Sequence, residues 1–294
     1  MPQPRDGFPM HTSIQLDRPG GHLAALCLGD ADGEPVLALH GWRDNAASFI
    51  PLSGHLPGYR VVVPDFPGHG HSVHRPAGDG YLFVDYVADV AHAVAGLGWR
   101  HFHLVGHSLG ANVALAYSAV FPERIRSLVL IEGVGPTSGD AGDTVNRLRR
   151  SIEAELDPEP PRRGGYPDWQ TLIDARRRAS PVSRDGAELL VRRNAREEAG
   201  EIRLHTDRRL RNPSAMYLTE AAVMEFVRGV EAPTLVILAD QGTIIDRDVT
   251  HQRIAALGNA EKAVLPGNHH LHLDVPAEVA GAMLPFLGSR ARKA

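Results

Sequence analysis

The chain has 294 residues, a hydrophobic fraction of 43% and a formal net charge of −4. This length suits one large globular domain or a core domain with an inserted subdomain. The slightly acidic balance argues against a nucleic-acid partner, and no apolar run is long enough to cross a membrane. Residues 1–10 lack the apolar stretch of a secretory signal, and Cys27 is the single cysteine. We therefore expect a cytoplasmic protein without a membrane partner.

Short apolar runs alternate with helical patterns along most of the chain. Two early runs predict a β-hairpin, and six later runs are apolar throughout, which is typical of strands buried on both faces of a parallel sheet. The predicted strands are 14–16, 23–28, 36–39, 60–63, 102–105, 127–131, 234–239 and 263–265. Helical patterns separate them at 46–56, 83–97, 109–121, 249–257 and 277–287. The alternation predicts an α/β fold with a mostly parallel eight-stranded sheet flanked by helices.

The region 136–228 interrupts this alternation. It is rich in Arg and Glu and carries three amphipathic helical patterns, at 145–156, 187–198 and 215–227. Insertions this long in compact domains are usually lids or other functional segments. We expect a helical cap over 136–228, inserted into a core made of 1–135 and 229–294. Long helical crossovers without a separate lid are the alternative.

The segment 106–110 reads GHSLG and lies between a predicted strand and a predicted helix. Strand, G-x-S-x-G and helix is the arrangement of a nucleophile elbow, in which a sharp turn exposes the serine hydroxyl. This pattern predicts Ser108 as a nucleophile. The backbone N–H groups of Leu109 and of Trp42, in the turn after the strand 36–39, are the expected oxyanion-hole donors.

A serine hydroxyl needs a base to accept its proton and an acid to orient that base. Three histidines, His269, His270 and His272, follow the last predicted strand, and each is a candidate base at this point. Their spacing does not match a zinc signature, so we expect no metal and no cofactor.

The order of these motifs resembles the α/β-hydrolase superfamily. The resemblance covers residues 23–131 and 233–287 and rests on HGW, DFPGHG, GHSLG and PGNH, at 40–42, 65–70, 106–110 and 266–269. Segments 40–49, 203–210 and 266–272 resemble the serine hydrolase-like subgroup more closely. The resemblance implies the α/β-hydrolase fold with an inserted helical cap and a serine hydrolase of undefined substrate.

The resemblance also selects the base. In hydrolases of this type the catalytic histidine stands seven positions before the proline that opens the last helix. Pro276 is that proline here, so the resemblance implies His269 as the base. His270 and His272 are the lesser candidates.

The acid departs from the commonest pattern of the superfamily. The usual aspartate position falls on Gly242, which has no side chain. Another subset, including haloalkane dehalogenases, places the acid after the strand that follows the nucleophile's helix, where this chain has Glu132. We therefore expect Glu132 as the acid. Asp240 is the alternative, and Asp246 or no acid at all is the remaining possibility.

These inferences predict a cofactor-independent carboxylic ester hydrolase (EC 3.1.1) that forms an acyl-enzyme on Ser108. A serine nucleophile argues against dehalogenase and epoxide-hydrolase chemistry, which this fold performs through an aspartate. The alternatives are C–C bond or thioester hydrolysis on the same triad, or a non-catalytic ligand-binding protein. The expected partner is a small-molecule ester or acyl substrate, and the choice between monomer and homodimer stays open.

Overall fold

The computed structural model describes residues 11–158 and 164–289. Within this part of the chain, ten strands are formed. They are β1 (Thr12–Arg18), β2 (Gly21–Gly29), β3 (Glu34–Leu39), β4 (Tyr59–Pro64), β5 (Phe102–His107), β6 (Ile125–Ile131), β7 (Ala195–Glu198), β8 (Glu201–Leu204), β9 (Thr234–Ala239) and β10 (Ala260–Leu265). Eight of them form one sheet in the order β1-β2-β4-β3-β5-β6-β9-β10, and β7 and β8 form a separate hairpin.

Ten α-helices accompany these strands in the described residues. They are α1 (Ile50–Ser53), α2 (Phe83–Leu97), α3 (Leu109–Val120), α4 (Thr144–Leu156), α5 (Trp169–Ala179), α6 (Arg184–Asn194), α7 (Glu220–Arg228), α8 (Asp248–Ala256), α9 (Leu271–Asp274) and α10 (Pro276–Gly288). None of the helices in the described ranges is long and apolar enough to span a membrane.

Strand pairing brings the carboxyl ends of four central strands to one edge. Strand β2 pairs antiparallel with β1 and β4, and the other neighbours are parallel. Leu39 pairs with Gly106, His107 pairs with Ile131, and Ile131 pairs with Ile237. The loops after β3, β5, β6 and β9 therefore meet above the same edge. This topology confirms the predicted mostly parallel sheet of eight strands.

Helices cover both faces of the sheet because its strands are apolar on both faces. In β3, Leu37 and Leu39 pack toward α2, α3 and α7, whereas Val36 and Ala38 pack toward α1 and α10. All four side chains are buried. Complete burial of a Val or Leu side chain contributes about 1.5–3 kcal/mol, so these strands hold the sheet in place between its helical layers.

The segment between β6 and β9 contains α4 to α7 and the β7–β8 hairpin. Within the predicted cap range, α7 packs against α3, and its Val223 and Val227 are buried in the core. Helices α5 and α6 and the β7–β8 hairpin share a small apolar cluster centred on Leu172, Ile173 and Leu190, to which Leu273 of α9 contributes. The cap limits 136–228 stay a prediction.

Two local expectations in this segment were wrong, and one helix was missed. The helix predicted at 187–198 ends at Asn194, and the following residues form the hairpin through Ala199 and Gly200, both with positive φ. The helix predicted at 215–227 begins at Glu220, where Thr219 caps it by accepting a hydrogen bond from a backbone N–H. Helix α5, which the sequence patterns did not predict, is capped by Asp168.

Candidate active site

Ser108 lies in a strained turn between β5 and α3. Its backbone has φ 51° and ψ −114°, a conformation that L-residues rarely adopt and that costs about 1–3 kcal/mol. The turn is tight because both flanking glycines are in close contact with backbone. A Cβ at Gly106 would overlap the Gly110 carbonyl, and one at Gly110 would overlap the Leu39 carbonyl. The glycines are thus required for the elbow that presents the Ser108 hydroxyl.

His269 and Glu132 are in direct contact. The Nδ1 atom of His269 is 3.0 Å from Oε2 of Glu132. The Glu132 side chain is fully buried, and it accepts backbone hydrogen bonds from Ala239, at 2.9 Å, and from Thr243, at 3.2 Å. These bonds fix the carboxylate in one orientation, so Nδ1 of His269 donates to it and Nε2 is left to accept a proton.

The structure places Glu132, and not Asp240, at His269. A Cβ at Gly242 would lie 2.8 Å from the carboxyl carbon of Glu132, so this carboxylate fills the space of a side chain at 242. Asp240 is exposed and accepts a hydrogen bond from the backbone N–H of Gly267 at 2.8 Å. Asp246 is also exposed. The absence of a side chain at Gly242 therefore leaves the space that the buried carboxylate of Glu132 occupies.

The two expected oxyanion donors flank the serine turn. Leu109 is the first residue of α3, and the N–H groups of a helix's first turn have no partner within the helix. Trp42 follows β3 in a turn that His40 holds, because the buried His40 ring accepts the Phe66 N–H at 2.9 Å. Burial lowers the pKa of His40, which keeps the ring neutral and able to accept. In the described residues, Ser108 Oγ forms no hydrogen bond with His269, and such bonds often form only with substrate bound.

The neighbouring histidines support the loop that carries His269. His107 Nε2 donates to the His269 carbonyl at 2.8 Å. His270 lies 3.2 Å from the Asp44 carboxylate, and His272 is buried with its ring centroid 4.8 Å from that of Phe49. Burial lowers the pKa of His272 to about 3. In residues 11–158 and 164–289, no cluster of three or more His, Cys, Asp or Glu side chains could hold a metal ion.

Two buried carboxylates on the core bind arginines of the segment between β6 and β9. Asp65 accepts hydrogen bonds from Arg193 at 2.8 Å and 3.0 Å, and Asp44 accepts one from Arg176 at 2.6 Å. Both carboxylates are buried. Charge-assisted bonds of this kind are stronger than neutral ones, so they fasten α5 and α6 to the loops beside the site. The sequence patterns did not reveal these pairs.

A cavity of about 790 Å³ opens beside the serine. Its lining includes Ser108, Leu109 and Trp42, together with residues 209–218 from the segment between β6 and β9. Most of its remaining lining is apolar or aromatic, including Tyr81, Leu82, Phe83, Val84 and Tyr86. The cavity therefore combines a nucleophile turn with an apolar surface large enough for a small organic molecule.

A parallel sheet, a G-x-S-x-G elbow and a histidine–carboxylate pair at its carboxyl edge define the class of α/β hydrolases with a serine in the elbow. Residues 34–276 match the family described as alpha/beta hydrolase fold, and the chain belongs to this family. The expected fold class is thereby confirmed.

Curated relatives indicate which subgroup of this family the chain resembles. A serine hydrolase-like protein of Danio rerio is 34% identical over 287 residues, covering 94% of this chain and 88% of the relative. A serine hydrolase-like protein of Mus musculus is 31% identical over 300 residues, covering 95% and 96%. These similarities confirm the expected serine hydrolase-like subgroup.

Solved structures agree with this assignment. A hypothetical protein from Pseudomonas aeruginosa PAO1 is 40% identical, with a TM-score of 0.89 and coverage of 94% of this chain and 99% of that chain. A thioesterase domain from the curacin biosynthetic pathway is 26% identical, with a TM-score of 0.82 and coverage of 94% and 99%.

Proposed function

We propose that this protein hydrolyses carboxylic esters of small molecules through an acyl-enzyme on Ser108. The observation that carries the proposal is the 3.0 Å contact between the buried Glu132 carboxylate and His269 Nδ1, at the same sheet edge as the strained Ser108 turn. A nucleophile, a base and an orienting acid are the three groups that this chemistry requires.

In the acylation step, Ser108 Oγ attacks the ester carbonyl carbon while His269 Nε2 accepts the hydroxyl proton. The carbonyl oxygen gains negative charge, which the N–H groups of Trp42 and Leu109 stabilise. The tetrahedral intermediate then collapses, the C–O bond to the alcohol breaks, and His269 returns the proton to the departing oxygen. The product is an alcohol and an ester between the acyl group and Ser108.

In the deacylation step, water takes the place of the alcohol. His269 accepts a proton from water, the resulting hydroxide attacks the acyl carbonyl, and the Ser108 Oγ–acyl bond breaks. The proton returns to Ser108, and a carboxylic acid leaves. Glu132 stays ionised throughout and stabilises the His269 imidazolium that forms in both steps.

The cavity of about 790 Å³ supports a small-molecule substrate. Its apolar lining favours an acyl or alcohol chain over a highly polar group. Because residues 209–218 line the same cavity as Ser108, the inserted cap of 136–228 forms part of the binding surface in this proposal. We expect its packing to set the chain length that the enzyme accepts.

Thioester hydrolysis is the second candidate. It uses the same triad, since a thioester carbonyl is attacked and released in the same way, with a thiol as the leaving group. The observation that favours it is the similarity to the thioesterase domain at 26% identity and a TM-score of 0.82. Hydrolysis of a C–C bond stays a third possibility from the sequence, without a specific structural observation in its favour.

The test is turnover of a p-nitrophenyl ester series from acetate to decanoate, with Ser108→Ala as the blank. We expect activity that is lost in Ser108→Ala and retained in Ser118→Ala, a matched change at a buried helix position ten residues away. Activity confined to thioesters would select the second candidate. Equal rates in wild type and Ser108→Ala would contradict both.

A further inference from the structure

A second cavity, of about 670 Å³, lies between the loop after β3 and the segment that joins β6 to β9. Most of the charged side chains that line it are positively charged. Asp207 is its one carboxylate among the described residues, whereas five arginines line it: Arg43, Arg176, Arg203, Arg208 and Arg211. Asp207 is already engaged by Tyr81 and Arg209, so it does not balance this charge.

Within the described ranges, two of the five arginines lack an acidic partner. Arg176 pairs with Asp44, and Arg203 pairs with Glu201. Arg43 and Arg211 have no carboxylate within ion-pair distance in residues 11–158 and 164–289. Partial burial, and the neighbouring charges of Arg211 and Arg176, lower the pKa of the Arg43 guanidinium. An anion in this cavity would relieve that repulsion.

Arg43 has an uncommon backbone conformation in the β-turn that the Asp44 N–H closes on the Gly41 carbonyl at 3.1 Å. Its φ is 62°, and the described chain has only three other non-glycine residues with positive φ: Ser108, Glu132 and Ala199. Ala199 lies in the hairpin turn, and the other two belong to the proposed triad. Strained conformations cluster at functional sites, where surrounding structure holds them. The conformation of Arg43 is held between the exposed Trp42 and the buried Asp44.

This cavity adjoins the site of the proposed reaction. Arg211 lines both this cavity and the one that contains Ser108. Arg43 directly follows Trp42, whose N–H is a proposed oxyanion donor. A molecule with its ester at Ser108 that extends past Arg211 places its second group in the cavity lined by Arg43 and Arg211.

We propose that this second cavity binds an anionic group, a carboxylate or a phosphate, on the substrate that is hydrolysed at Ser108, with Arg43 and Arg211 as its direct ligands. This substrate class rests on the proposed hydrolase function. The planar guanidinium presents parallel N–H donors that match two oxygens of either anion. The alternative is that the arginines only keep this surface solvated, and the experiment separates the two.

The kinetic test compares p-nitrophenyl hemisuccinate, which is anionic, with p-nitrophenyl butyrate, which is neutral and of similar length. In Arg43→Gln and Arg211→Gln, we expect the ratio of KM for the anionic ester to KM for the neutral ester to rise about tenfold over wild type. Arg177→Gln is the matched control, because Arg177 is exposed on α5 and lies outside the cavity lining. Equal changes for both esters would overturn the proposal.

Direct binding keeps this test independent of turnover. Titration calorimetry with succinate and with inorganic phosphate should show binding to the wild type that weakens at least about tenfold in the Arg43→Gln/Arg211→Gln double variant. Succinate binding alone identifies a carboxylate, and phosphate binding alone identifies a phosphate. Binding of neither, or binding unchanged in the double variant, overturns the anion site. If no ester is hydrolysed but binding follows the arginines, the proposed ester chemistry fails while the anion site stands.

Discussion

Replacing Glu132 by Gln removes one charge from the site with almost no change in shape. The carboxylate accepts from Ala239 N on one oxygen and from Thr243 N and His269 Nδ1 on the other. A glutamine side chain can accept hydrogen bonds at only one of these two positions, because its second terminal group is an NH2 donor. Its NH2 group either faces the Ala239 N–H, leaving a buried donor without a partner, or faces His269 and forces the proton onto Nε2.

Either orientation weakens His269 as a base. With the NH2 group toward His269, the protonated Nε2 cannot accept the Ser108 proton; with the NH2 group toward Ala239, the imidazolium that forms has no carboxylate to stabilise it. Loss of the orienting acid lowers kcat roughly 10³–10⁴-fold, equal to about 4–5.5 kcal/mol of transition-state stabilisation. We expect this fall in kcat for Glu132→Gln, with KM within about threefold of wild type, because the carboxylate does not line the substrate cavity.

The packing of Gly242 provides a stricter version of the test. The backbone at Gly242 is not in the left-handed region, so an aspartate there meets one obstacle, which is the Glu132 carboxylate. Gly242→Asp alone should therefore reduce stability and activity. Glu132→Gly, which suits the φ of 52° at 132, should be nearly inactive. The double variant Glu132→Gly/Gly242→Asp should regain at least about tenfold over Glu132→Gly.

The assay is steady-state hydrolysis of the best p-nitrophenyl ester, with circular dichroism to confirm that each variant is folded. Two results would refute the reasoning. One is a folded Glu132→Gln that keeps more than about a tenth of wild-type kcat. The other is a folded double variant that is no more active than Glu132→Gly.

Three further predictions concern stability, and urea unfolding tests each. Burial lowers the pKa of both His69 and His272 to about 3, so below pH 6.5 only the unfolded chain binds these protons. The free energy of unfolding should fall on going from pH 7.5 to 5.0, by about 2 kcal/mol for each histidine, and a pH-independent midpoint would contradict this. His272→Phe should make this fall in the free energy of unfolding smaller by about 2 kcal/mol, and an unchanged pH dependence would show that His272 does not contribute. Arg193→Ala leaves the Asp65 carboxylate buried and unpaired and should cost roughly 3–5 kcal/mol, whereas the exposed Arg192→Ala should cost under about 1 kcal/mol; equal losses would argue against the buried pair.

The sheet was predictable because burial on both faces requires continuous apolar runs. Each of the eight predicted strands coincides with a strand of the sheet. The β7–β8 hairpin was not predictable from the same signal. Half of its ten residues, Ala195–Leu204 in the pairing register, are charged, so the reversal at Ala199 and Gly200 has no apolar signature.

The candidate site likewise has a part that local sequence predicts and a part that it does not. The Ser108 elbow is a local motif, and the strand and helix beside it make it recognisable in the sequence. The choice between Glu132 and Asp240 is not local, because it depends on how closely the Gly242 backbone approaches a carboxylate from another strand. The arginines that bind the two buried carboxylates lie still further from them in sequence. Arg193 stands 128 positions after Asp65, and no spacing rule connects the two.

The most direct test of the account is mass spectrometry of the acyl-enzyme under rapid quench. Wild-type protein mixed with a slowly hydrolysed p-nitrophenyl ester should gain the mass of one acyl group, and fragmentation should place that mass on Ser108. Ser108→Ala should gain none, and Glu132→Gln should acylate more slowly. A hydrolytically active wild type that never carries an acyl group, or carries it on another residue, would contradict the central claim.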